Sequence, residues 1–286
     1  MHSYYTELAY AAILFLGLSS PVQAELFGRS LTGTGFDGNV STYEAYYDTT
    51  LNVTWMADAN FFRAQAASNP SLVADVIASV GGVVLDTPNV RDSPVPYSGS
   101  YALTAADFDT ATGRMTWWGA QAWTHYLNST ELGGQSDWRL PTVSPINGST
   151  FQYGSAFDGT RDVGYNISSP TSELGHMFHV TLDNKGFYTT SGVPQPGSGL
   201  LNSGPFTNLP GTYLWYDNEY PLEWSHAWTF NTQFGSQSGI IYKGDPYVAW
   251  AVRTGDIAAV PLPAAAWLFG SGMAGLAAWA RRRRAA

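Results

Sequence analysis

Three short stretches of the chain differ in how apolar and polar residues alternate. Residues 51–55 (LNVTW) alternate apolar and polar side chains, which predicts a strand with one buried face. Residues 69–80 repeat apolar side chains at helical spacing, and Gly81 marks the predicted end of that helix. Residues 82–112 are rich in Gly, Pro, Ser and Asp, so a long loop or a few short strands are expected there.

Two further segments have a helical pattern. The more regular one starts at Trp117, directly after Thr116, which is a suitable N-cap. One stripe of this helix spans about 120° of the helical wheel and predicts its core-facing side. That stripe consists of Trp117, Ala120, Trp123, Thr124 and Leu127. The second helix is predicted over residues 172–182. Its apolar face consists of Leu174, Met177, Phe178 and Leu182.

Strand patterns return near the end of the body. Residues 213–253 contain four runs rich in Trp and Tyr, and Gly235 and Gly244 mark turns between them. Residues 143–170 show no clear period and are interpreted as an insertion. These patterns predict an α+β body with two main helices, a small antiparallel sheet and long loops.

Composition and charge exclude several classes of function. The chain contains no Cys, which excludes disulfides, thiolate zinc sites and Cys nucleophiles. Residues 25–260 carry 21 acidic and 9 basic side chains, so nucleic acid is not expected as a partner. Aromatic residues make up 15% of the chain and charged residues 12%, which favours a globular body with an aromatic-rich core over disorder.

The N-terminal segment, residues 1–24, predicts a secretory signal peptide that is cleaved between Ala24 and Glu25. It has an apolar centre over residues 8–18 and a small residue, Val22, near the cleavage point. No Lys or Arg precedes the apolar centre. An uncleaved anchor and a misplaced start codon are the alternative interpretations.

The C-terminal segment predicts a transmembrane helix over residues 262–280. These 19 residues carry no charge, and at 1.5 Å per residue they just span a hydrocarbon core of about 30 Å. Four arginines follow, and the positive-inside rule keeps them in the cytoplasm with the body outside it. They are Arg281, Arg282, Arg283 and Arg284. A buried core helix is the alternative, although such a helix rarely ends in four arginines.

The tail also contains a more specific combination of features. Pro261, Leu262 and Pro263 precede the apolar span, GSGMAG lies inside it, and the arginines close it. Residues 258–286 therefore resemble the PEP-CTERM sorting signals of Gram-negative bacteria, with Leu262 where the usual motif has Glu. The resemblance implies that an exosortase-type membrane protease is a partner, that it cuts near Pro-x-Pro, and that the body reaches the cell surface or extracellular matrix.

The body, residues 25–257, carries four pieces in a fixed order. These are a TW…A…W…L helix, DWRLPT at 137–142, an EL helix, and strands that end in AWAVR at 249–253. In this order they resemble the C-terminal domain family of collagen-like bacterial adhesins (Lcl C-terminal type) over residues 42–256. The RLPT and VR pieces are also similar to the formylglycine-generating enzyme and C-type lectin-like folds. The resemblance implies a compact C-type lectin-like domain, while the enzyme's Cys-dependent activity does not carry over.

The DWRLPT block is predicted to be a structural motif together with Arg253. It consists of Asp137, Trp138, Arg139, Leu140, Pro141 and Thr142. The neighbours of Arg139 are apolar, so its side chain is expected to be half-buried and to need a carboxylate or several carbonyl oxygens. Contact with a ligand is the alternative role for Arg139.

Residues 215–224 (WYDNEYPLEW) are interpreted as a candidate ligand loop. Asp217, Asn218 and Glu219 offer oxygen ligands for Ca²⁺, and Trp215 and Trp224 offer flat faces for sugar rings. Apart from Ca²⁺ at this loop, no cofactor is expected. An ordinary solvated loop is the alternative interpretation.

Catalytic motifs are absent from the sequence. It contains no G-x-S-x-G nucleophile motif. Glu173, His176 and His179 have a spacing that lets neighbouring pairs share a metal, but a charge at the helix start and histidines beside the core are the simpler reading, and no metal site is predicted. The expected function is a non-catalytic surface or matrix protein that binds polysaccharide or another envelope component. An envelope enzyme that acts on glycans, with paired carboxylates, is the alternative.

Overall fold

The computed structural model describes residues 25–32, 36 and 42–257. The signal-peptide prediction up to Ala24 and the sorting-segment prediction over 258–286 lie outside these residues. Within them the chain forms a mixed α+β body, and none of its helices there has both the length and the apolar character needed to cross a membrane.

The described residues contain four helices. They are α1 (Phe61–Ser68), α2 (Leu72–Ser79), α3 (Trp117–Ser129) and α4 (Glu173–His176). The described residues therefore form more helices than the two main ones that the sequence predicts. In particular, α1 was not anticipated, because Phe62 is its one buried residue and a single apolar contact gives no period. The predicted end of α2 is confirmed, since Gly81 has a φ of 65° and the N–H of Gly82 donates to Ile77.

The described strands form sheets of four, eight and two strands. The strands are β1 (Leu26–Arg29), β2 (Ala45–Asp48), β3 (Val53–Met56), β4 (Val83–Leu85), β5 (Ser100–Ala102), β6 (Phe108–Asp109), β7 (Arg114–Met115), β8 (Ser155–Ala156), β9 (Val163–Tyr165), β10 (Tyr213–Glu219), β11 (His226–Asn231), β12 (Ser236–Tyr242), β13 (Tyr247–Val248) and β14 (Val252–Thr254). Their orders are β1-β2-β3-β14, β6-β7-β13-β10-β11-β12-β9-β8 and β4-β5.

The predicted antiparallel pairing is confirmed for most strand pairs, but the prediction of one small sheet is wrong in size and number. The largest sheet has eight strands, and two of its pairs, β10 with β13 and β8 with β9, are parallel. Four of its strands have only two residues, which is too short for an alternating pattern to be recognised in the sequence. The long strands β10, β11 and β12 agree with the pattern that predicted them.

The predicted strand at 51–55 exists as β3, but its predicted exposed face does not. All four residues from Val53 to Met56 are buried. β3 lies between β2 and β14, and both of its faces are covered, so burial is continuous rather than alternating. The ring of Trp55 packs against Trp250 with 4.6 Å between ring centroids, which joins this sheet to the segment before β14.

Helix α3 lies at the centre of the fold. Its predicted cap is confirmed, because the hydroxyl of Thr116 accepts a hydrogen bond from the N–H of Gly119 (3.1 Å), and all five residues of the predicted stripe are buried. Trp118, which the helical wheel places on another side, is also buried, because Tyr101 of β5 stacks on its ring at 3.7 Å. The small β4–β5 sheet therefore covers a second face of α3.

The predicted helix at 172–182 forms with a change of geometry along its length. The hydroxyl of Ser172 accepts a hydrogen bond from the N–H of Gly175 and caps α4, and a π-helical turn, Met177–Thr181, continues it. All four residues of the predicted apolar face are buried. The start of α4 is fixed beside the DWRLPT block, which places Glu173 close to Arg139.

Candidate functional site

The DWRLPT block and strand β14 lie side by side. The N–H of Arg139 donates to the carbonyl of Val252 (2.7 Å), and the N–H of Val252 donates to the carbonyl of Arg139 (2.9 Å). Arg253 donates to both carboxylate oxygens of Asp137, at 2.7 and 3.0 Å. Trp138 is buried, and its indole N–H donates to the carbonyl of Leu132. The structure thus joins the two sequence pieces that carry the family resemblance.

The guanidinium of Arg139 is surrounded by acceptors. Nη1 and Nη2 donate to the two carboxylate oxygens of Glu173, at 2.8 and 2.7 Å. Nε and Nη2 also donate to the hydroxyl of Thr254, and Nη1 donates to the carbonyl of Leu140. Every guanidinium nitrogen therefore has a protein acceptor, and the side chain, 24% exposed, joins α4 to β14.

Strand β10 runs past the other side of this block. The N–H of Asp217 donates to the carbonyl of Pro141 (2.8 Å), and the side-chain oxygen of Asn218 accepts from the N–H of Val143 (2.9 Å). The structural motif and the candidate ligand segment are therefore direct neighbours. Residues 215–219 belong to β10, so the prediction of a loop there is wrong; alternate side chains of a strand point to opposite faces.

The five candidate ligand residues do not come together as one group. Trp215 is buried, and its indole N–H donates to the carbonyl of Met115. Asp217 and Glu219 line one pocket, whereas Asn218 binds the backbone of the block. Trp224 lies in the turn after β10, is 37% exposed, and does not line that pocket.

A buried ammonium group lies next to Glu219. Nζ of Lys243 is 2.7 Å from Asp86 Oδ2 and 2.5 Å from Glu219 Oε1, and the side chains of Lys243 and Asp86 are 0% exposed. The same Nζ lies 4.6 Å from the ring centroid of Trp117 and 5.7 Å from that of Trp118. We call this group the Lys243 clamp. It joins the segment after β4 to the ends of β10 and β12.

A pocket of about 320 Å³ opens beside the clamp. It is lined by Val84, Leu85, Asp86, Trp117, Gln121, Asp217 and Glu219. We call it the acidic pocket, because three of its lining side chains are carboxylates and none is basic. Three larger pockets of about 340, 450 and 550 Å³ adjoin α1, and their linings consist mainly of neutral side chains.

Two carboxylates of the acidic pocket have unused oxygen atoms. Gln121 donates to Asp217 Oδ1 (2.9 Å), while Asp217 Oδ2 accepts no hydrogen bond from the described residues. Asp86 Oδ2 accepts from Lys243 and Trp118, while Asp86 Oδ1 is buried without a partner among them. Burial raises the pKa of both carboxyl groups above their ordinary value, and hydrogen bonds from Lys243 and Gln121 offset this only in part.

The three residues considered for a metal have separate surroundings. Glu173 binds Arg139, Nδ1 of His176 lies 2.8 Å from the carbonyl of Ser168, and Nδ1 of His179 lies 3.2 Å from the carbonyl of Asn184. Across the part of the chain that the structure describes, no group of three or more His, Asp or Glu side chains is placed to hold a metal ion. Burial lowers the pKa of His179 to about 4, so this ring is neutral at physiological pH.

Sequence reasoning missed the residues that complete the pocket. Asp86 lies in residues 82–112, for which the composition predicts a long loop or a few short strands, and Lys243 lies in one of the predicted strand runs. One signal was present: Lys243 is one of only two lysines in the chain. A rare basic residue inside an apolar strand run (SGIIYKG) indicates a buried ion pair, although it does not name the partner.

Comparison with known proteins identifies no relative of this chain. The chain matches no protein-family model, no curated protein and no solved structure. Among the sequence-predicted functional residues, Ala24, the Pro261–Leu262–Pro263 motif and Arg281 to Arg284 lie outside the described residues. Glu25, on the other side of the predicted cleavage point, is described and exposed.

Proposed function

We propose that the chain is an exported surface or extracellular-matrix protein that binds polysaccharide or another envelope component and catalyses no reaction. We assign binding to the acidic pocket, which is the observation that carries the proposal. Carboxylate oxygens accept hydrogen bonds from sugar hydroxyls, and the amide of Gln121 both donates and accepts. Leu85 is 78% exposed and gives the pocket an apolar wall for the C–H face of a sugar.

The same proposal assigns the body to the Lcl C-terminal type with a C-type lectin-like fold. The mixed α+β architecture supports it, as does the contact between the DWRLPT block and the closing AWAVR segment. The pairing of β3 with β14 supports it as well, because it brings an early strand beside the last strand of the body. A fold resemblance suggests binding only by analogy, so the pocket has to carry the function.

Export and sorting are the second part of the proposal. Cleavage after Ala24, insertion of 262–280 and recognition of the Pro261–Leu262–Pro263 motif by an exosortase-type protease deliver the body to the surface. A tag inserted after Ala258 is then expected to leave the inner membrane, while a tag after Arg284 stays there. If both tags remain on one full-length species in cells that contain an exosortase, the tail is a permanent anchor and the sorting proposal is wrong.

Binding is tested with the purified full-length protein on an array of bacterial polysaccharides and their oligosaccharides. We expect specific binding that Asp217→Asn weakens roughly tenfold, the effect of losing one charge-assisted hydrogen bond. Asp183→Asn is the matched control, because Asp183 is exposed and its φ of 52° also suits Asn. Repeating the array with a Ca²⁺ chelator tests the predicted cation. Absence of binding to every glycan, with and without Ca²⁺, contradicts the proposal.

An envelope glycosidase is the second candidate, and one observation favours it. Two carboxyl groups, Asp217 and Glu219, line the same pocket, and burial raises the pKa of Asp217 as a general acid requires. Glycans that bind on the array are therefore incubated with the protein and analysed by chromatography. Shortened products that disappear with Asp217→Asn would replace the binding proposal by the enzymatic one.

A further inference from the structure

The acidic pocket has an unbalanced charge. Its lining contains Asp86, Asp217 and Glu219, and two cations of the described residues, Lys243 and Arg139, lie near these carboxylates. The Lys243 side chain is 0% exposed and its ammonium group is bound to two carboxylates, so its charge is not available to a ligand. Arg139, the other cation near Asp217, is fully engaged with Glu173, Thr254 and Leu140. A ligand in the pocket therefore meets negative groups.

Among the polar atoms of the pocket that lack a partner in the described residues are carboxylate oxygens, which accept hydrogen bonds and carry negative charge. Asp217 Oδ2 and Asp86 Oδ1 have no donor among the described residues, and Asp86 Oδ1 is buried. Asp217 Oδ2 is therefore the acceptor that a ligand donor can use, whereas the Asp86 side chain is 0% exposed and contributes charge without direct contact. Glu219, in contrast, accepts from Thr87 and from Lys243, so its oxygens are already occupied.

The type of donor that suits this arrangement is cationic. An ammonium group supplies three N–H donors and a positive charge, and charge-assisted bonds to carboxylates are about twice as strong as neutral ones. A carboxylate or sulfate on a glycan would instead face like charges, which oppose binding. The acidic character of the whole body acts in the same direction at longer range.

We infer that the acidic pocket selects glycans that carry free amino groups, that is, de-N-acetylated hexosamine residues, over N-acetylated or uronic-acid glycans. This inference rests on the proposed function and specifies its substrate class. Asp217 binds the ammonium group directly, the enclosed carboxylates of Asp86 and Glu219 add negative charge behind it, and Leu85 contacts the sugar ring.

The test compares three oligosaccharides of equal length in mildly acidic buffer: oligo-glucosamine, oligo-N-acetylglucosamine and oligogalacturonate. Binding of each to the full-length protein is measured by calorimetry at low and high salt. We expect oligo-glucosamine to bind roughly tenfold more tightly than the acetylated oligomer, and this advantage to shrink as salt screens the charges. Oligogalacturonate is expected to bind most weakly.

Two variants check that the pocket is responsible. Asp217→Asn keeps the shape of the side chain and is expected to remove most of the amine preference. Leu85→Lys changes an exposed residue at the rim, so the fold is retained, and its added cation is expected to repel the amine. Asp183→Asn again serves as the control and should keep the preference, and thermal melting verifies that each variant is folded.

The outcomes separate the two proposals. Equal affinity for the amine and acetylated oligomers, tighter binding of oligogalacturonate, or an amine preference that survives Leu85→Lys overturns the inference but leaves glycan binding standing. Failure to bind these oligomers and every glycan of the array overturns both.

Discussion

Two cations of this body, the half-buried Arg139 and the buried Lys243, differ in what surrounds them. Arg139 binds Glu173 with two parallel bonds and has further hydroxyl and carbonyl acceptors, so its network is complete. Lys243 lies between Asp86 and Glu219 against the rings of two tryptophans, and Asp86 retains an oxygen without a partner. The first group is 24% exposed but has an acceptor for every guanidinium nitrogen, whereas the ammonium of the second is fully enclosed and lies beside the acidic pocket.

This difference separates a structural role from a binding role. A network in which every donor has an acceptor holds segments together and has no capacity left for a ligand. Beside the Lys243 network, Asp217 lines the pocket and its Oδ2 accepts no hydrogen bond from the described residues, so this oxygen has that capacity. In the sequence, Arg139 and Lys243 both stand for a buried or half-buried cation that needs a partner. Whether all hydrogen-bonding groups of the network are occupied therefore distinguishes the two roles better than the residue type does.

The largest effect is expected for Lys243→Met. Removing the ammonium leaves Asp86 and Glu219 as buried neighbours without a counter-charge, so the free energy of unfolding should fall by on the order of 5 kcal/mol. Urea denaturation measures this. Lys185→Met, at the other and exposed lysine, is the matched control and should change stability by at most about 0.5 kcal/mol.

A compensated variant tests the cause. Lys243→Met combined with Asp86→Asn and Glu219→Gln removes both charges, so much of the lost stability should return. If the triple variant is as unstable as Lys243→Met alone, the loss comes from packing and the electrostatic explanation of the clamp is wrong.

A smaller loss is expected at Arg139. Arg139→Ala leaves Glu173 half-paired but still bound by the N–H of Thr142, and the side chains of the pair are 24% and 11% exposed, so we expect a loss of roughly 3 kcal/mol. Arg139→Lys should recover little, because Lys lacks the planar fork. Arg63→Ala, at an exposed arginine, is the control. An unchanged melting temperature of Arg139→Ala would return Arg139 to its alternative role in ligand binding.

His179 has no counter-charge among the described residues, in contrast to Arg139 and Lys243, and its contribution to the stability of the fold is expected to depend on pH. The pKa of His179 is lowered from 6.5 to about 4, so the unfolded chain binds a proton at a higher pH than the folded one. Stability is therefore lost as the pH falls from 6.5 towards 4, by roughly 1.5 kcal/mol down to about pH 5. His179→Gln lacks this term, and denaturation of both proteins at the two pH values should show a flatter slope for the variant. Identical slopes contradict the assignment.

The smallest effect is expected for Arg253→Ala. Arg253 pairs with both oxygens of Asp137, but the Asp137 side chain is 50% exposed, and water replaces the lost partner there. We expect a loss of about 1 kcal/mol or less. A loss as large as that of Arg139→Ala would show that burial does not rank these pairs.

Local features of the fold could be predicted from the sequence, whereas the pocket could not. The cap at Thr116, the stripe of α3 and the turn at Gly81 depend on neighbouring residues, and the structure has each of them. The helix α1 buries only Phe62 and the two-residue strands are too short, so neither produces a recognisable period in the sequence. Asp86, Gln121, Asp217 and Lys243 meet only through tertiary packing, and no local pattern records which of their oxygens remain free.

The position of β14 has a mechanical consequence. This strand is the last element of the body, and it is held by β3 on one side and by the backbone of Arg139 on the other. A pull on the chain beyond residue 257 therefore reaches β14 first. A force along the strand axis would load its backbone hydrogen bonds together in shear instead of opening them one after another. The described body thus ends in a strand that is hydrogen-bonded on both sides, which resists tension better than a free end would.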